Sequence, residues 1–287
     1  MPPVQVTGEV LTLKRVGAYH SMTVVAPGIA EQTRPGQFVA VAVGGDESAM
    51  LLRRAFSIYS VKERGVYGGT VEFIFSVTGS GTAWLARQRA HDPIDVVGPL
   101  GRPFKLPLQP AVCTLVGGGY GTAPLFPLAE ALRGKGCRVD FVVGAANQER
   151  LFGALDAKRM STSVVFTTED GSVGEPGRVS DVLPGVLART QSDVVYSCGP
   201  MAMLRAVADI AADHGIPCQV AVEESMACGI GVCMTCVLPA RGEDGQTRMV
   251  RSCVEGPVFM ADAVRWDALG TVPADALGAP AVAGAAG

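Results

Sequence analysis

The most specific chemistry in this chain belongs to four cysteines near its C-terminal end. Cys228, Cys233 and Cys236 stand in a C-x4-C-x2-C run, and Cys253 returns after a polar excursion. Thiolate sulfur is the soft ligand that iron–sulfur clusters select, and the run has the spacing of plant-type 2Fe-2S ligation. Gly229 and Gly231 lie between the first two ligands. A loop wrapped tightly around a cluster aims backbone N–H groups at its sulfurs, and glycine permits the backbone angles this needs. Zinc also takes four thiolates, but usually from C-x2-C pairs at both ends. Here the first gap is four residues and the fourth cysteine stands alone.

Two further groups of residues suit a flavin. RRAFSI at 53–58 brings Arg54, Phe56, Ser57 and Ile58 together. On a strand, Arg54, Phe56 and Ile58 share one face and Ser57 takes the other. The arginine offers charge to a pyrophosphate, the ring offers packing, and the hydroxyl offers a hydrogen bond. The plain alternative is an ordinary strand with an exposed arginine. TGSGT at 78–82 precedes a helix predicted from Thr82 to about Arg89. A helix N-terminus presents unpaired N–H groups to phosphate, although the same residues also read as a turn with an N-cap.

Two glycine turns suit a dinucleotide. GGGYG at 117–121 follows an apolar run at 112–116 and precedes an apolar helix ending near Gly134, with Pro124 in its first turns. Glycines at such a strand end let a pyrophosphate approach the backbone, though any tight strand–helix turn can use them. Cys198, Gly199 and Pro200 stand at another strand end. A small thiol and a flat glycine leave room there for a nicotinamide ring beside a flavin; the alternative is a plain turn with a buried cysteine. Glu149, Glu169 and Asp170 follow the intervening strands. Carboxylates there accept ribose hydroxyls and repel a 2′-phosphate, which leans toward NADH over NADPH.

The elements that must carry these groups fall into segments. Residues 1–105 read as short β-strands broken by Pro35-Gly36, Gly44-Gly45 and Gly68-Gly69, the pattern of a barrel or sandwich. Residues 106–218 alternate strand, glycine turn and helix, which implies a parallel doubly wound α/β sheet. Residues 219–269 hold the cysteine module, with Trp266 and Leu269 placed to pack it onto its neighbours. Residues 270–287, rich in alanine, glycine and proline, read as a mobile tail.

Composition closes off other classes. The 287 residues carry a net charge of −3 and no basic stripe, against nucleic-acid binding. No run has the length of a membrane-spanning helix, and the first residues lack the apolar stretch of a signal peptide. Eight cysteines without an export signal point to a reducing cytoplasm and a metal role. Cys113, Cys137 and Cys218 read as small buried apolar residues.

Taken in order, RRAFSI (53–58), GSGT (79–82), GGGYGTAP (117–124), CGPM (198–201) and EESMACGIGVCMTC…C…GPVF (223–259) resemble the ferredoxin–NADP reductase superfamily with a C-terminal 2Fe-2S module. Within it they are most similar to the electron-transfer subunits of NAD-linked dihydroorotate dehydrogenases, over nearly all of the chain to about residue 269. The resemblance implies an FAD barrel over 1–105, an NAD domain over 106–218 and a cluster module over 219–269. It implies that Arg54, Phe56, Ser57 and Ile58 contact FAD, with Gly81 and Thr82 at its pyrophosphate. It places Gly118, Gly119 and Gly121 at NAD(H), Cys198, Gly199 and Pro200 near the nicotinamide, and Cys228, Cys233, Cys236 and Cys253 on iron. It implies a separate FMN-containing dihydroorotate dehydrogenase catalytic subunit as partner, two of each in a heterotetramer of pyrimidine biosynthesis. The base and the pyrimidine site then lie on that partner, and His20, His91 and His214 are structural or surface residues. The family more often has Arg-Pro-x-Ser or Arg-x-Tyr-Ser where this chain has Arg-Ala-Phe-Ser, so Phe56 lacks a hydroxyl. Related subunits serve ferredoxin-dependent transhydrogenases and sulfide dehydrogenases, some with aspartate at the first cluster position, where this chain has Cys228. An NAD-binding regulator with a structural metal is the alternative outside the oxidoreductases; the RRAFSI and GSGT pair speaks against it.

Overall fold

The computed structural model describes residues 2–45, 48–66 and 68–279. The first segment is a closed antiparallel barrel of β1 (Val4–Val16), β2 (Tyr19–Val25), β3 (Phe38–Val41), β4 (Arg54–Lys62), β5 (Thr70–Phe75) and β6 (Pro93–Leu100), in the order β1-β2-β5-β4-β3-β6. Closure leaves no unpaired edge, which suits short strands rich in Val, Ile and Phe. A bulge between Val10 and Thr12 lets β1 serve two neighbours, β6 along its first half and β2 along its second. Alternation sends Met22, Val24, Val39, Val41, Ile58, Val71 and Phe73 inward, where Phe56 stacks on Phe73 at 4.8 Å between ring centroids. The one α-helix among the described residues of this segment, α1 (Ser80–Leu85), starts two residues before the predicted one and is shorter.

The second segment is a seven-stranded sheet with helices on both faces. Its strands are β7 (Val112–Gly118), β8 (Arg138–Ala145), β9 (Ser163–Thr168), β10 (Glu175–Pro176), β11 (Val194–Cys198), β12 (Cys218–Ala221) and, from far along the chain, β15 (Val258–Met260). The order is β10-β9-β8-β7-β11-β12-β15, parallel except for β15. The helices are α2 (Leu125–Gly134), α3 (Ala154–Met160), α4 (Val179–Thr190) and α5 (Met201–Asp213). The sequence predicts a helix ending near Gly134, one at about 180–190 and one from Met201; α3 was not legible, because its seven residues bury only Ala157. The chain builds outward from β7 to β10, then crosses back to β11 on the other side of β7. Loops diverge at that reversal and open a crevice beyond the ends of β7 and β11, where sheets of this kind bind ligands.

The cysteine module is an excursion between β12 and β15. It holds the hairpin β13 (Val237–Arg241) and β14 (Thr247–Arg251), and the chain then pairs β15 antiparallel to β12. Trp266 and Leu269 pack on the apolar cluster under α5, and Trp266 Nε1 donates to the Ala261 carbonyl at 2.8 Å. Part of the expected tail is held instead. Ala276 is buried, the Leu277 amide donates to the Thr247 carbonyl, and Asp275 accepts from Thr247 and Arg265. These polar partners, invisible in an alanine- and glycine-rich composition, tie residues 275–277 to the hairpin. Residues 280–287 of that tail lie outside the described residues.

Candidate functional site

Two cavities lie at the crevice. The smaller, about 300 Å³, runs between the barrel and the sheet and is lined by Arg54, Phe56, Ser57, Ser76, Thr78 and Thr82 on the barrel side. Gly121, Cys198, Gly199 and Glu223 line it on the sheet side, and Phe38, Ala55 and Met226 toward the cysteine module. The Arg54 guanidinium lies against the first turn of α1, where a Cβ on Gly81 would come within 2.7 Å of Arg54 Nε. Nη1 is braced by the Leu52 carbonyl at 2.6 Å. Thr82 ties the preceding loop: its Oγ1 accepts from the Thr78 and Gly79 amides and donates to the Gly79 carbonyl. An arginine, paired hydroxyls and a slot between two domains fit the phosphates and the flat ring of a flavin dinucleotide.

The grouping of RRAFSI residues is only partly kept. Ile58 faces the barrel core, 2% exposed, and does not line the cavity. Phe56 touches the cavity at its edge but spends its ring on Phe73 and Phe75. The strand alternation that puts both on one face turns that face into the barrel, whose apolar core outcompetes a half-solvated slot for them.

The larger cavity, about 480 Å³, lies over the ends of β7, β8 and β9. Gly118, Gly119, Gly121 and Pro200 line it, with Gly144, Thr167, Glu169, Arg178 and Met203. The glycines act through what they omit. A Cβ on Gly118 would meet Met203 Sδ at 2.7 Å, and one on Gly121 would meet Gly199 Cα at 2.7 Å. The GGGYG and CGP turns therefore touch backbone to backbone. Thr167 is fully buried, and its Oγ1 has no partner among the described residues. An orphaned hydroxyl at the wall of a glycine-lined crevice fits a polar ligand such as a dinucleotide. Of the three carboxylates expected at the ribose, Glu169 lines this cavity. Asp170 instead accepts from Ser172 in its own loop, and Glu149 gives its carbonyl to the Ala18 amide.

Tyr120, Gly121 and Glu223 line both cavities. Tyr120 Oη donates to Glu223 Oε1 at 3.3 Å. Burial, with help from the Glu223 charge, pushes the Tyr120 phenol up to about 12. Burial, then Glu223, does the same to the Cys198 thiol, so both stay protonated near neutral pH. Tyr120 sat unremarked inside the glycine run; its OH partner is 103 residues away, which no local pattern reveals.

The four cysteines fall into two pairs: the Cys233 amide donates to Cys228 Sγ at 3.5 Å, and Cys236 and Cys253 share one buried apolar cluster. The amides of Ile230, Val232 and Cys233 donate to Cys228 Sγ at 3.3–3.5 Å. That loop carries Gly229 at φ 71° and Gly231 at φ 83°, the left-handed angles that glycine permits. Arg251 of β14 anchors it through the Gly231 carbonyl at 2.9 Å. Hydrogen bonds from Thr235, then from Cys228, lower the Cys233 thiol to about 6, favouring the thiolate that metals take. Among the described residues no three His, Cys, Asp or Glu side chains gather as one metal ion requires. Two thiol pairs instead fit a two-iron cluster, each iron taking two of the four sulfurs. Cys236 and Cys253 are buried against Phe38, Ala40 and Leu100 of the barrel, with Met226 and Ala55 beside them. Phe38, Ala55 and Met226 thus stand between the thiols and the smaller cavity.

The histidines lie elsewhere. His20 stacks on Phe75, His91 pairs with Glu9, and His214 meets the Ile210 carbonyl. No described helix is long and apolar enough to cross a membrane.

Known proteins are similar to this chain in sequence and fold. Residues 223–265 match the iron–sulfur cluster binding domain of dihydroorotate dehydrogenase B. The dihydroorotate dehydrogenase B (NAD(+)) electron transfer subunit of Desulforamulus reducens is 35% identical over 242 residues, 84% of this chain and 90% of that one. The Bacillus caldolyticus subunit of the same name is 38% identical over 239 residues, 82% of this chain and 88% of that one. A solved NADH-dependent reduced ferredoxin–NADP oxidoreductase, studied for flavin-based electron bifurcation, superposes with a TM-score of 0.78 at 28% identity over 91% of both chains. A ferredoxin reductase of carbazole 1,9a-dioxygenase shares the fold at a TM-score of 0.64 and 21% identity, over 76% of this chain and 68% of that one. With the barrel, the crevice and the paired thiols already in view, this likeness over about nine-tenths of its relatives' length means that the chain belongs to the electron transfer subunit family of dihydroorotate dehydrogenase B.

Proposed function

We propose that this chain is the electron-transfer subunit of an NAD-linked dihydroorotate dehydrogenase, joining an FMN-containing catalytic partner to NAD through a 2Fe-2S cluster and FAD. One observation carries the reading: the slot beside Arg54 abuts the glycine-lined cavity through Tyr120 and Glu223, and the paired thiols through Phe38, Ala55 and Met226. A flavin in that slot touches both neighbours. FAD supplies the exchange between one- and two-electron carriers that nicotinamide, which takes only hydride, cannot make with a cluster.

The protein's share is placement. Arg54, Gly81 and Thr82 hold the flavin pyrophosphate, and Ser57 offers its hydroxyl to the ring. Gly118, Gly119 and Gly121 admit the dinucleotide backbone, with Thr167 and Glu169 offering acceptors and a donor beyond them. Cys198, Gly199 and Pro200 leave space at the nicotinamide end. Cys228, Cys233, Cys236 and Cys253 hold the two irons. In this assignment residues 1–105 serve the flavin, 106–218 the dinucleotide and 219–269 the cluster, in a cytoplasmic protein whose eight cysteines are all free among the described residues. Dihydroorotate oxidation itself belongs to the partner, in a heterotetramer with two of each subunit.

The second reading is the NAD(P)H-side subunit of a ferredoxin-dependent transhydrogenase, favoured by the solved oxidoreductase that is 28% identical over 91% of the chain. Partner identity separates the two. Purified from its native cell, the protein is expected to carry flavin and about two irons per chain, as the cluster type requires. It is expected to bring down an FMN-containing subunit that oxidises dihydroorotate with NAD reduction. A glutamate-synthase-like partner would move the assignment to the transhydrogenase, and zinc without iron would reject the relay.

A further inference from the structure

Resting on the two-cavity reading above, we propose that Tyr120 and Glu223 form a latch across the junction between the flavin slot and the dinucleotide cavity, which must open before a nicotinamide ring can reach the flavin. Three residues line both cavities, and Gly121 has no side chain, so the side-chain wall between them is this pair. The pair is closed by one long hydrogen bond, 3.3 Å from Tyr120 Oη to Glu223 Oε1. Neither side chain has another hydrogen-bond partner among the described residues. Glu223 is exposed, at the start of the irregular segment after β12, and can swing away. Tyr120 sits in a tight turn between Gly119, at φ 54°, and Gly121. Its ring leans on Tyr19 at 5.2 Å between centroids, and Tyr19 is itself fixed by its hydroxyl on the Arg150 carbonyl at 3.0 Å. One side of the phenol thus has a rigid backstop and the other only the carboxylate.

The geometry matters because reacting rings must approach within about 3–3.5 Å. A phenol lying across the junction occupies that contact. With the latch closed, the adenosine end of a dinucleotide can bind while its nicotinamide stays outside. The latch therefore taxes nicotinamide docking and leaves the rest of the ligand untouched. The bond is long and its carboxylate is exposed, so its loss on opening is worth no more than an ordinary hydrogen bond and sets the tax at roughly three- to tenfold in affinity.

Binding tests this without turnover. The oxidised holoprotein, loaded with FAD and cluster, is titrated calorimetrically with NAD+ and, separately, with ADP-ribose, which lacks the nicotinamide. Tyr120→Phe keeps the ring and removes the latch hydroxyl; it is expected to tighten NAD+ about three- to tenfold and leave ADP-ribose unchanged. Glu223→Gln, a weaker acceptor of the same shape, is expected to tighten NAD+ by a smaller factor. Wild-type affinity for NAD+ in both variants, or weaker NAD+ binding in either, would overturn the latch. Equal tightening of ADP-ribose would overturn it as well, by placing the pair at the wrong end of the ligand. If the wild-type holoprotein bound neither ligand, the dinucleotide reading beneath the latch would fall first, so the two failures are distinguishable.

Discussion

Replacing Gly121 by alanine tests the contact on which the whole site is built. Gly121 is not at a positive φ, so its backbone accepts a side chain without strain. The added Cβ would stand 2.7 Å from Gly199 Cα and 3.1 Å from Gly199 N. Neither is the tip of a flexible side chain. Ordinary contact begins near 3.4 Å, so the turns must part by roughly 0.7 Å, an overpacking worth about 1–3 kcal/mol. For a chain of this size that lowers the melting temperature by roughly 2–4 °C per kcal/mol. The functional effect is expected to be larger in proportion. In the proposed assignment the same two turns carry the nicotinamide end of one cavity and the wall of the other, and a misplacement approaching 1 Å costs up to about 10²-fold in rate. Stopped-flow bleaching of the flavin by NADH, in protein loaded with FAD and cluster, reads the rate; scanning fluorimetry reads the stability. Gly185→Ala is the control: exposed in α4 with nothing within 4 Å of its added Cβ, it is expected to stabilise by about 0.5–1 kcal/mol and leave the rate alone. A Gly121→Ala protein with wild-type melting and wild-type bleaching would refute the claim that the turns meet backbone to backbone.

Other outcomes bear on separate parts of the site. Cys233→Ser is expected to abolish reduction of the partner and the cluster's absorbance while largely sparing NADH-to-dye activity through FAD; unchanged partner reduction would reject the relay. Arg54→Ala is expected to weaken flavin retention by roughly one to two orders of magnitude, the scale of a charge-assisted hydrogen bond, read by FAD released on dilution. Thr167→Val removes a buried hydroxyl that has no partner among the described residues, so stability should hold or rise while NAD+ affinity falls a few-fold; a clear loss of melting temperature would mean that the hydroxyl serves the fold. The Tyr120 phenol, raised to about 12 by burial and then by Glu223, favours its protonated form in the fold. Its contribution is therefore fully present below its ordinary value near 10 and is lost only as pH climbs toward about 12. NAD+ affinity is accordingly expected to show no inflection from Tyr120 between pH 7 and 10, and a Tyr120-dependent step in that range would contradict the buried hydrogen bond.

Local chemistry was legible in the sequence because its signals are short-range. The C-x4-C-x2-C spacing and the two glycines between its first ligands reappear as a loop whose amides point at Cys228 Sγ. The Pro35-Gly36, Gly44-Gly45 and Gly68-Gly69 breaks separate β2 from β3, β3 from β4 and β4 from β5, since turn residues announce themselves locally. The glycine turns at 117–121 and 198–200 announce strand ends for the same reason. Tertiary structure decided what those pieces do to one another. Ile58 lies away from the cavity beside Arg54 because barrel closure turned its face inward. Part of the alanine-rich tail was pinned because Arg265 and Thr247, from two other elements, converge on Asp275. Tyr120 came to line the junction of two cavities only when Glu223 arrived from beyond β12, 103 residues along the chain. Burial, contact and shared walls are properties of residues distant in sequence, and packing alone assigns them.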